Sequence, residues 1–137
     1  METPEKRVVL RFYEIVGSGR PEDLDEVCAP DLQGHAGAGS DLAELKDSTA
    51  SILVAFPDMR PEIRNLVQEG DLVSVWLSYT ATHRADFAGI PASGRRVKFA
   101  GWDLMRVRDG RIQEITQYCD LFAIMSQIGA LPTAAPA

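Results

Sequence analysis

The hydrophobic pattern of the chain changes its period at Pro57-Asp58, and this change limits the possible folds more than any other feature. Before it, apolar residues recur every three or four positions, as in helices that bury one face. After it, apolar and polar residues alternate, as in strands. Because the helices come first and the strands follow, we expect an α+β domain with helices packed on one side of a mainly antiparallel sheet.

Three helices are predicted in the first half. Thr3 is a favourable N-cap, and Pro4 suits the first helical position because its missing N–H costs nothing there. Ser40 or Asp41 caps the third helix, and Pro57 prevents it from continuing. The patterns predict helices at about residues 4–16, 21–28 and 42–56, and a short strand at residues 31–36.

The second half is predicted to form hairpins. Gly70-Asp71 and Asp109-Gly110 are tight-turn signals between alternating segments. The alternation predicts strands at about residues 59–69, 71–83, 96–108 and 111–119, and a short helix after Asp120. A twisted sheet that curls around helices leaves a concave mouth where a small molecule can bind. We expect one domain over residues 1–132, followed by a mobile tail at residues 133–137.

Charge and hydropathy exclude several kinds of partner. The net charge is −6, and the densest basic cluster is only Arg95-Arg96-x-Lys98, so nucleic acid is not an expected partner. No apolar run approaches the length of a membrane span, and the charged N-terminus does not resemble a signal peptide. We therefore predict a cytoplasmic protein without a membrane partner.

Few residues of special chemistry are present. The two cysteines, Cys28 and Cys119, and the two histidines, His35 and His83, are not spaced as zinc ligands. We therefore predict no metal site. Any chemistry must come from carboxylates, hydroxyls or the two histidines.

Several motifs occur in order along the chain, at residues 55–59, 69–71, 82–83, 87–97, 109–114, 120 and 127–129. They read AFPDM, EGD, TH, FAGIPASGRRV, DGRIQE, D and QIG. Together they resemble the SnoaL-like polyketide cyclase family over about residues 8–132. This resemblance implies a cone-shaped α+β fold, in which a curled mixed sheet packs on three helices around a deep pocket.

The resemblance also implies a function. Cyclases of this family close a ring by intramolecular aldol condensation of a polyketide, with a carboxylate and no cofactor. The residue of this chain that matches that carboxylate is Asp120. Many relatives carry His-Trp directly after the glutamate that matches Glu114, whereas this chain has Ile115-Thr116. The resemblance further implies a small hydrophobic substrate and a homodimer or higher homo-oligomer formed through the outer face of the sheet.

Asp120 and His35 are the predicted catalytic residues. Asp120 would act as general acid and base at the mouth of an apolar pocket, where burial would raise its pKa. It is also a favourable N-cap for the helix that follows, and one residue can serve both roles. His35 lies on the predicted short strand and is the better of the two histidines as a second proton-transfer group.

The register of the last hairpin predicts most of the substrate-binding residues. A two-residue turn at Asp109-Gly110 places Asp103 opposite Thr116 and gives both strands a common face that ends at Asp120. Trp76 shares its face with serines and a threonine, which suggests a half-polar pocket wall. The predicted substrate-binding residues are Tyr13, Trp76, Phe99, Asp103, Thr116 and Tyr118. Asp103 is alternatively a structural acid paired with an arginine.

Three functions are compatible with these observations. The first is an aldol cyclase that uses Asp120. The second is an epoxide hydrolase or isomerase, with Asp103 as a second acid, although the strand at residues 71–83 lacks the Arg-x-Asp unit of such relatives. The third is a small-molecule-binding or assembly module without catalysis, in which Asp120 only caps a helix.

Overall fold

The computed structural model describes residues 2–129 and confirms the predicted α+β architecture. The predicted tail at residues 133–137 lies outside this range. In chain order the elements are α1 (Pro4–Ser18), a 3-10 helix (Pro21–Glu26), β1 (Cys28–Ala36), α2 (Leu42–Ala55), β2 (Arg60–Glu69), β3 (Leu72–Thr82), β4 (Arg96–Arg108), β5 (Arg111–Cys119) and α3 (Leu121–Gln127). Within residues 2–129, no helix combines the length and the hydropathy that crossing a bilayer requires.

The helix ends agree with the predicted caps. The Thr3 hydroxyl accepts a hydrogen bond from the Lys6 N–H at 3.1 Å and begins α1. This helix continues past Gly17 and ends at Gly19, which adopts the left-handed conformation with φ 75°. Asp41 caps α2 through the Glu44 N–H at 2.9 Å. The helix predicted at residues 21–28 is a shorter 3-10 helix, Pro21–Glu26, because Cys28 already belongs to β1.

The five strands form one mixed sheet in the order β1-β5-β4-β3-β2. Only the β1–β5 pair is parallel, and the other neighbours are antiparallel. The hairpin turn at Asp109-Gly110 is confirmed, since Arg108 pairs with Arg111 and the two turn residues have φ of 54° and 72°. The sheet is therefore mainly antiparallel, as expected.

The predicted register of this hairpin is wrong beyond the turn. Val107 pairs with Ile112 but Arg106 pairs with Glu114, so Gln113 is an extra residue in β5. Such a bulge exchanges the faces of the residues that follow it. Asp103 consequently lies opposite Gln117 rather than Thr116.

The helices cover one face of the sheet, which we call the inner face. It presents alternate residues of β3 and β4, all of them buried: Val73, Val75, Leu77, Tyr79, Val97, Phe99, Gly101, Asp103, Met105 and Val107. Phe12, Ile15 and Val16 of α1 belong to the same buried cluster. The outer face carries the intervening residues, which are exposed or half-buried.

Candidate active site

A cavity of about 130 Å³ lies between α1, α2 and the inner face of the sheet. Its walls are mostly apolar, with Phe12 and Val16 from α1, Ile52 from α2, and Met59 and Phe99 from the sheet side. The hydroxyls of Ser48 and Thr49 also line it, but both donate to the Leu45 carbonyl within α2. No lysine, arginine or histidine of the described chain lines this cavity. Such walls favour an uncharged ligand.

Asp103 is the sole acidic residue among the described residues that line the cavity, and it is only 3% exposed. The Tyr13 hydroxyl donates a hydrogen bond to Asp103 Oδ2 at 2.5 Å. Burial raises the pKa of Asp103 from 3.8 to about 7, although hydrogen bonds from Tyr13 and Gln117 act in the opposite direction. The carboxyl is thus poised to gain or lose a proton near neutral pH. The alternative of an arginine partner is wrong: no described arginine forms a salt bridge with Asp103.

Tyr79 also lines the cavity. Its ring stacks on Phe99, with centroids 5.0 Å apart, and leans across β4 over Gly101. A Cβ atom at Gly101 would lie 2.7 Å from Tyr79 Cε2, so the ring can occupy this position only because residue 101 is glycine. Burial is the main cause that raises the Tyr79 pKa well above its usual range. The hydroxyl therefore stays protonated.

Asp120 lies outside this cavity, contrary to the prediction that it faces one. Its side chain is exposed and accepts a hydrogen bond from the Ala123 N–H at 3.0 Å, which caps α3. It borders a shallow hollow on the outer face, next to Trp76 and Trp102. The reason is its position directly after the last residue of β5, where the backbone leaves the sheet to start the helix.

His35 also lies away from the cavity, on β1 at the edge of the sheet. It donates from Nε2 to Glu114 Oε2 at 2.8 Å, and its side chain is half-exposed. The same glutamate contacts Arg106, which pairs with Asp71 at 2.7 Å. These contacts lower the pKa of Glu114, with the His35 hydrogen bond as the main cause. The surroundings of His35 are those of a surface ion-pair network.

The predicted binding residues divide between the two faces. Phe99 and Asp103 line the cavity, and Tyr13 reaches it through its hydrogen bond to Asp103. Trp76 and Thr116 lie on the outer face, so their predicted place in the pocket wall is wrong. Tyr118 touches the cavity mouth, but its ring stacks on Trp102 on the outer face, with centroids 6.3 Å apart.

Tyr79 and Gln117 were not predicted as cavity residues, and neither were Ser48 and Thr49. Tyr79 continues the alternation of Val73, Val75 and Leu77, and this aliphatic column could have identified the inner face of β3. Gln117 faces inward because of the bulge at Gln113, for which the sequence gives no clear signal. Within residues 2–129, no group of three or more His, Cys, Asp or Glu side chains is placed to hold a metal ion.

The fold and the cavity define an α+β domain in which the carboxyl group of Asp103 is buried in a largely apolar chamber. The chain belongs to the SnoaL-like polyketide cyclase family, whose model matches residues 6–128.

Solved structures of related proteins have the same fold. IdmH from Streptomyces antibioticus, a proposed polyketide cyclase, is 30% identical with a TM-score of 0.81, and the match covers 93% of this chain and 99% of IdmH. A proposed SnoaL-like polyketide cyclase from Jannaschia sp. CCS1 is 25% identical with a TM-score of 0.84, covering 96% and 95% of the two chains. AclR from Streptomyces galilaeus, a proposed hydroxylase, is 23% identical with a TM-score of 0.86, covering 96% and 88%. This last likeness concerns the fold alone. No curated protein sequence matches the chain significantly.

Proposed function

We propose that the protein is a cofactor-independent cyclase that closes a ring in a polyketide or a related small apolar carbonyl compound by intramolecular aldol reaction. Asp103, rather than Asp120, is the proposed general acid and base. The observation that carries this proposal is the buried Asp103 carboxyl in an apolar cavity, with a pKa raised to about 7. A group with such a pKa can both accept and return a proton at neutral pH.

The reaction needs no other reactant. The Asp103 carboxylate removes a proton from a carbon flanked by carbonyl groups, and the C–H electron pair forms a C=C bond while the carbonyl oxygen becomes an enolate. The enolate carbon attacks a second carbonyl carbon of the same molecule and forms the new C–C bond. Protonated Asp103 then returns its proton to the alkoxide. The apolar walls contribute by holding the two reacting carbons close together.

The cavity size bears on the substrate. Pockets for drug-sized ligands enclose about 300–1,000 Å³, whereas this cavity encloses about 130 Å³. The chamber is therefore proposed to hold the reacting end of the substrate, with the remainder extending through the mouth near Gly37 and Tyr118.

A pair of isosteric variants, Asp103→Asn and Asp120→Asn, tests this assignment. The assay is the exchange of the α-protons of a β-keto ester for deuterium, followed by NMR, because it requires only the first step. Asp103→Asn is expected to lower the enzyme-catalysed rate by at least about 100-fold. Asp120→Asn is expected to exchange at the wild-type rate, since asparagine caps a helix as well as aspartate does.

The wild-type exchange rate should rise with pH and level off above about pH 7, where Asp103 is ionised. An Asp103→Asn protein that exchanges as fast as wild type would exclude Asp103 as the base. A loss confined to Asp120→Asn would restore the role first predicted for Asp120.

The epoxide hydrolase alternative receives less support. It requires two acids and a guanidinium group around one substrate. Asp120 lies outside the cavity, and no described arginine lines it. A binding module without catalysis is separated from the cyclase by the same exchange assay, because it predicts no rate above the buffer background.

We also propose that the outer face of the sheet joins two copies of the chain, as expected for this family. Large apolar side chains are exposed there, with Trp76 at 56% and Tyr118 at 61%, and Phe122 of α3 is 72% exposed. The substitution Trp76→Lys is expected to convert a dimer into a monomer in sedimentation equilibrium. The matched control is Val54→Lys, because Val54 is also exposed, at 67%, but lies on α2, away from the sheet. A wild-type protein that sediments as a monomer would contradict this proposal.

A further inference from the structure

Tyr79 lines the cavity, and no described group accepts a hydrogen bond from its hydroxyl. Three tyrosines occur in the chain, and the two buried ones both lie near Asp103. Tyr13 donates to Asp103 Oδ2. Tyr79 makes no hydrogen bond within residues 2–129, and its pKa responds to burial and to the charge of Asp103. A hydroxyl on a cavity wall that has no protein partner is available to donate a hydrogen bond to a molecule in that cavity.

The Tyr79 ring lies close to the strand segment that carries Asp103. The ring lies over Gly101, two residues before Asp103 on the same face of β4. Tyr79 and Asp103 line the cavity, and so does Phe99, on which the Tyr79 ring stacks. An uncharged carbonyl compound bound in the cavity would therefore be bordered by both Asp103 and Tyr79.

We propose that Tyr79 is a catalytic residue whose O–H donates a hydrogen bond to the substrate carbonyl oxygen on which negative charge develops. This inference rests on the proposed function, because it requires Asp103 to remove the α-proton. When the C–H bond breaks, the proton goes to Asp103 and the electron pair becomes the enolate. Tyr79 keeps its own proton throughout and stabilises the oxygen charge through the hydrogen bond. A donor already in place inside a water-poor cavity stabilises such charge more than a solvated donor does.

The substrate class follows from the same geometry. The donors available to a ligand are neutral, and Lys, Arg and His are absent from the described lining. A carboxylate or phosphate in this chamber would meet Asp103 without a compensating cation. The reacting end of the substrate is therefore a neutral enolisable ketone or ester.

Two conservative variants, Tyr79→Phe and Tyr13→Phe, separate the roles of the two hydroxyls. Tyr79→Phe keeps the ring stacked on Phe99 and removes only the donor. It is expected to lower the rate of α-proton exchange of a β-keto ester by about 100-fold, without moving the midpoint of the pH profile. Tyr13→Phe is expected to move that midpoint upward instead, because the Tyr13 hydrogen bond lowers the pKa of Asp103.

Binding of para-substituted phenols gives a second readout that involves no chemistry. These probes imitate the enolate when they are ionised, and at a given pH the ionised fraction is larger for the more acidic members. The wild-type affinity should rise with phenol acidity, and Tyr79→Phe should flatten this dependence. Gly101→Ala is also expected to flatten the dependence of affinity on phenol acidity, since an added Cβ displaces the Tyr79 ring.

The outcomes distinguish this inference from the proposed function. An Asp103→Asn protein that exchanges at the wild-type rate would overturn both. Loss of exchange in Asp103→Asn, together with wild-type exchange and an unchanged phenol dependence in Tyr79→Phe, would overturn the role of Tyr79 alone.

Discussion

Replacing Asp103 with asparagine is expected to make the protein more stable above neutral pH, although it removes the proposed catalytic group. Burial raises the pKa of Asp103 from 3.8 to about 7. A difference of this size between the folded and unfolded states corresponds to on the order of 4 kcal/mol in the free energy of unfolding. This effect is about a thousandfold in the folding equilibrium constant.

The sign follows from which state holds the proton. Between about pH 4 and pH 7 the folded protein retains a proton on Asp103 that the unfolded chain has lost. The contribution of Asp103 to the free energy of unfolding is therefore fully present below about pH 4 and is lost as the pH rises toward 7. Asparagine is neutral in both states, so its contribution to stability does not change with pH. The stability of Asp103→Asn relative to the wild type therefore increases from about pH 4 to pH 7.

Urea unfolding of both proteins at about pH 4, 6 and 8 measures the effect. Asp58→Asn provides a control of opposite sign, because hydrogen bonds from Thr82 lower the Asp58 pKa, helped by the nearby charge of Arg96. Asp58 therefore stabilises the folded state above its unfolded pKa, and this contribution is lost as the pH falls. Asp58→Asn should destabilise at neutral pH, and less so in acid. If the free energies of unfolding of the wild type and Asp103→Asn differ by the same amount at all three pH values, Asp103 does not titrate as a buried group.

The features of the fold that could be predicted depend on local chemistry. The period change at Pro57 separates the helices from the strands because each element must bury one face. The turn at Asp109-Gly110 requires positive φ at two successive residues, which few residue pairs adopt readily. The cap at Thr3 requires only a side-chain oxygen near the first free N–H groups.

The parts of the site that could not be predicted depend on contacts between distant segments. One extra residue, Gln113, moves Thr116 and Tyr118 to the outer face and Gln117 to the inner face. Asp103 was predicted to bind substrate, but its hydrogen bond with Tyr13, which lies 90 positions earlier in the chain, was not predicted. Trp76 was assigned to the pocket from the polarity of its neighbours, whereas the aliphatic residues on the opposite face of β3 form the core.

Gly34→Ala is expected to cost about 3 kcal/mol or more in stability, at the upper end of what an added methyl group does in a packed site. A Cβ atom on Gly34 would overlap the carbonyl oxygen of Gly39, which is backbone and cannot rotate away. Gly39 is itself fixed, with φ 78° and no room beside Glu44. The Gly34 N–H also donates to the Ser40 carbonyl at 2.9 Å, so retreat of the loop between β1 and α2 would break this bond.

The matched control is Gly17→Ala, since Gly17 lies in α1 and its added Cβ would meet only Pro61 at 3.6 Å. Alanine is the better helix former, so this variant should be more stable than wild type by up to about 1 kcal/mol. Urea unfolding of the two variants should therefore give midpoints on opposite sides of the wild-type midpoint. A Gly34→Ala protein that unfolds at the wild-type urea midpoint would show that the loop accommodates the methyl group. Because Gly37 of this loop lines the cavity and its N–H donates to the Gln117 carbonyl at 2.9 Å, a displaced loop should also slow α-proton exchange in Gly34→Ala.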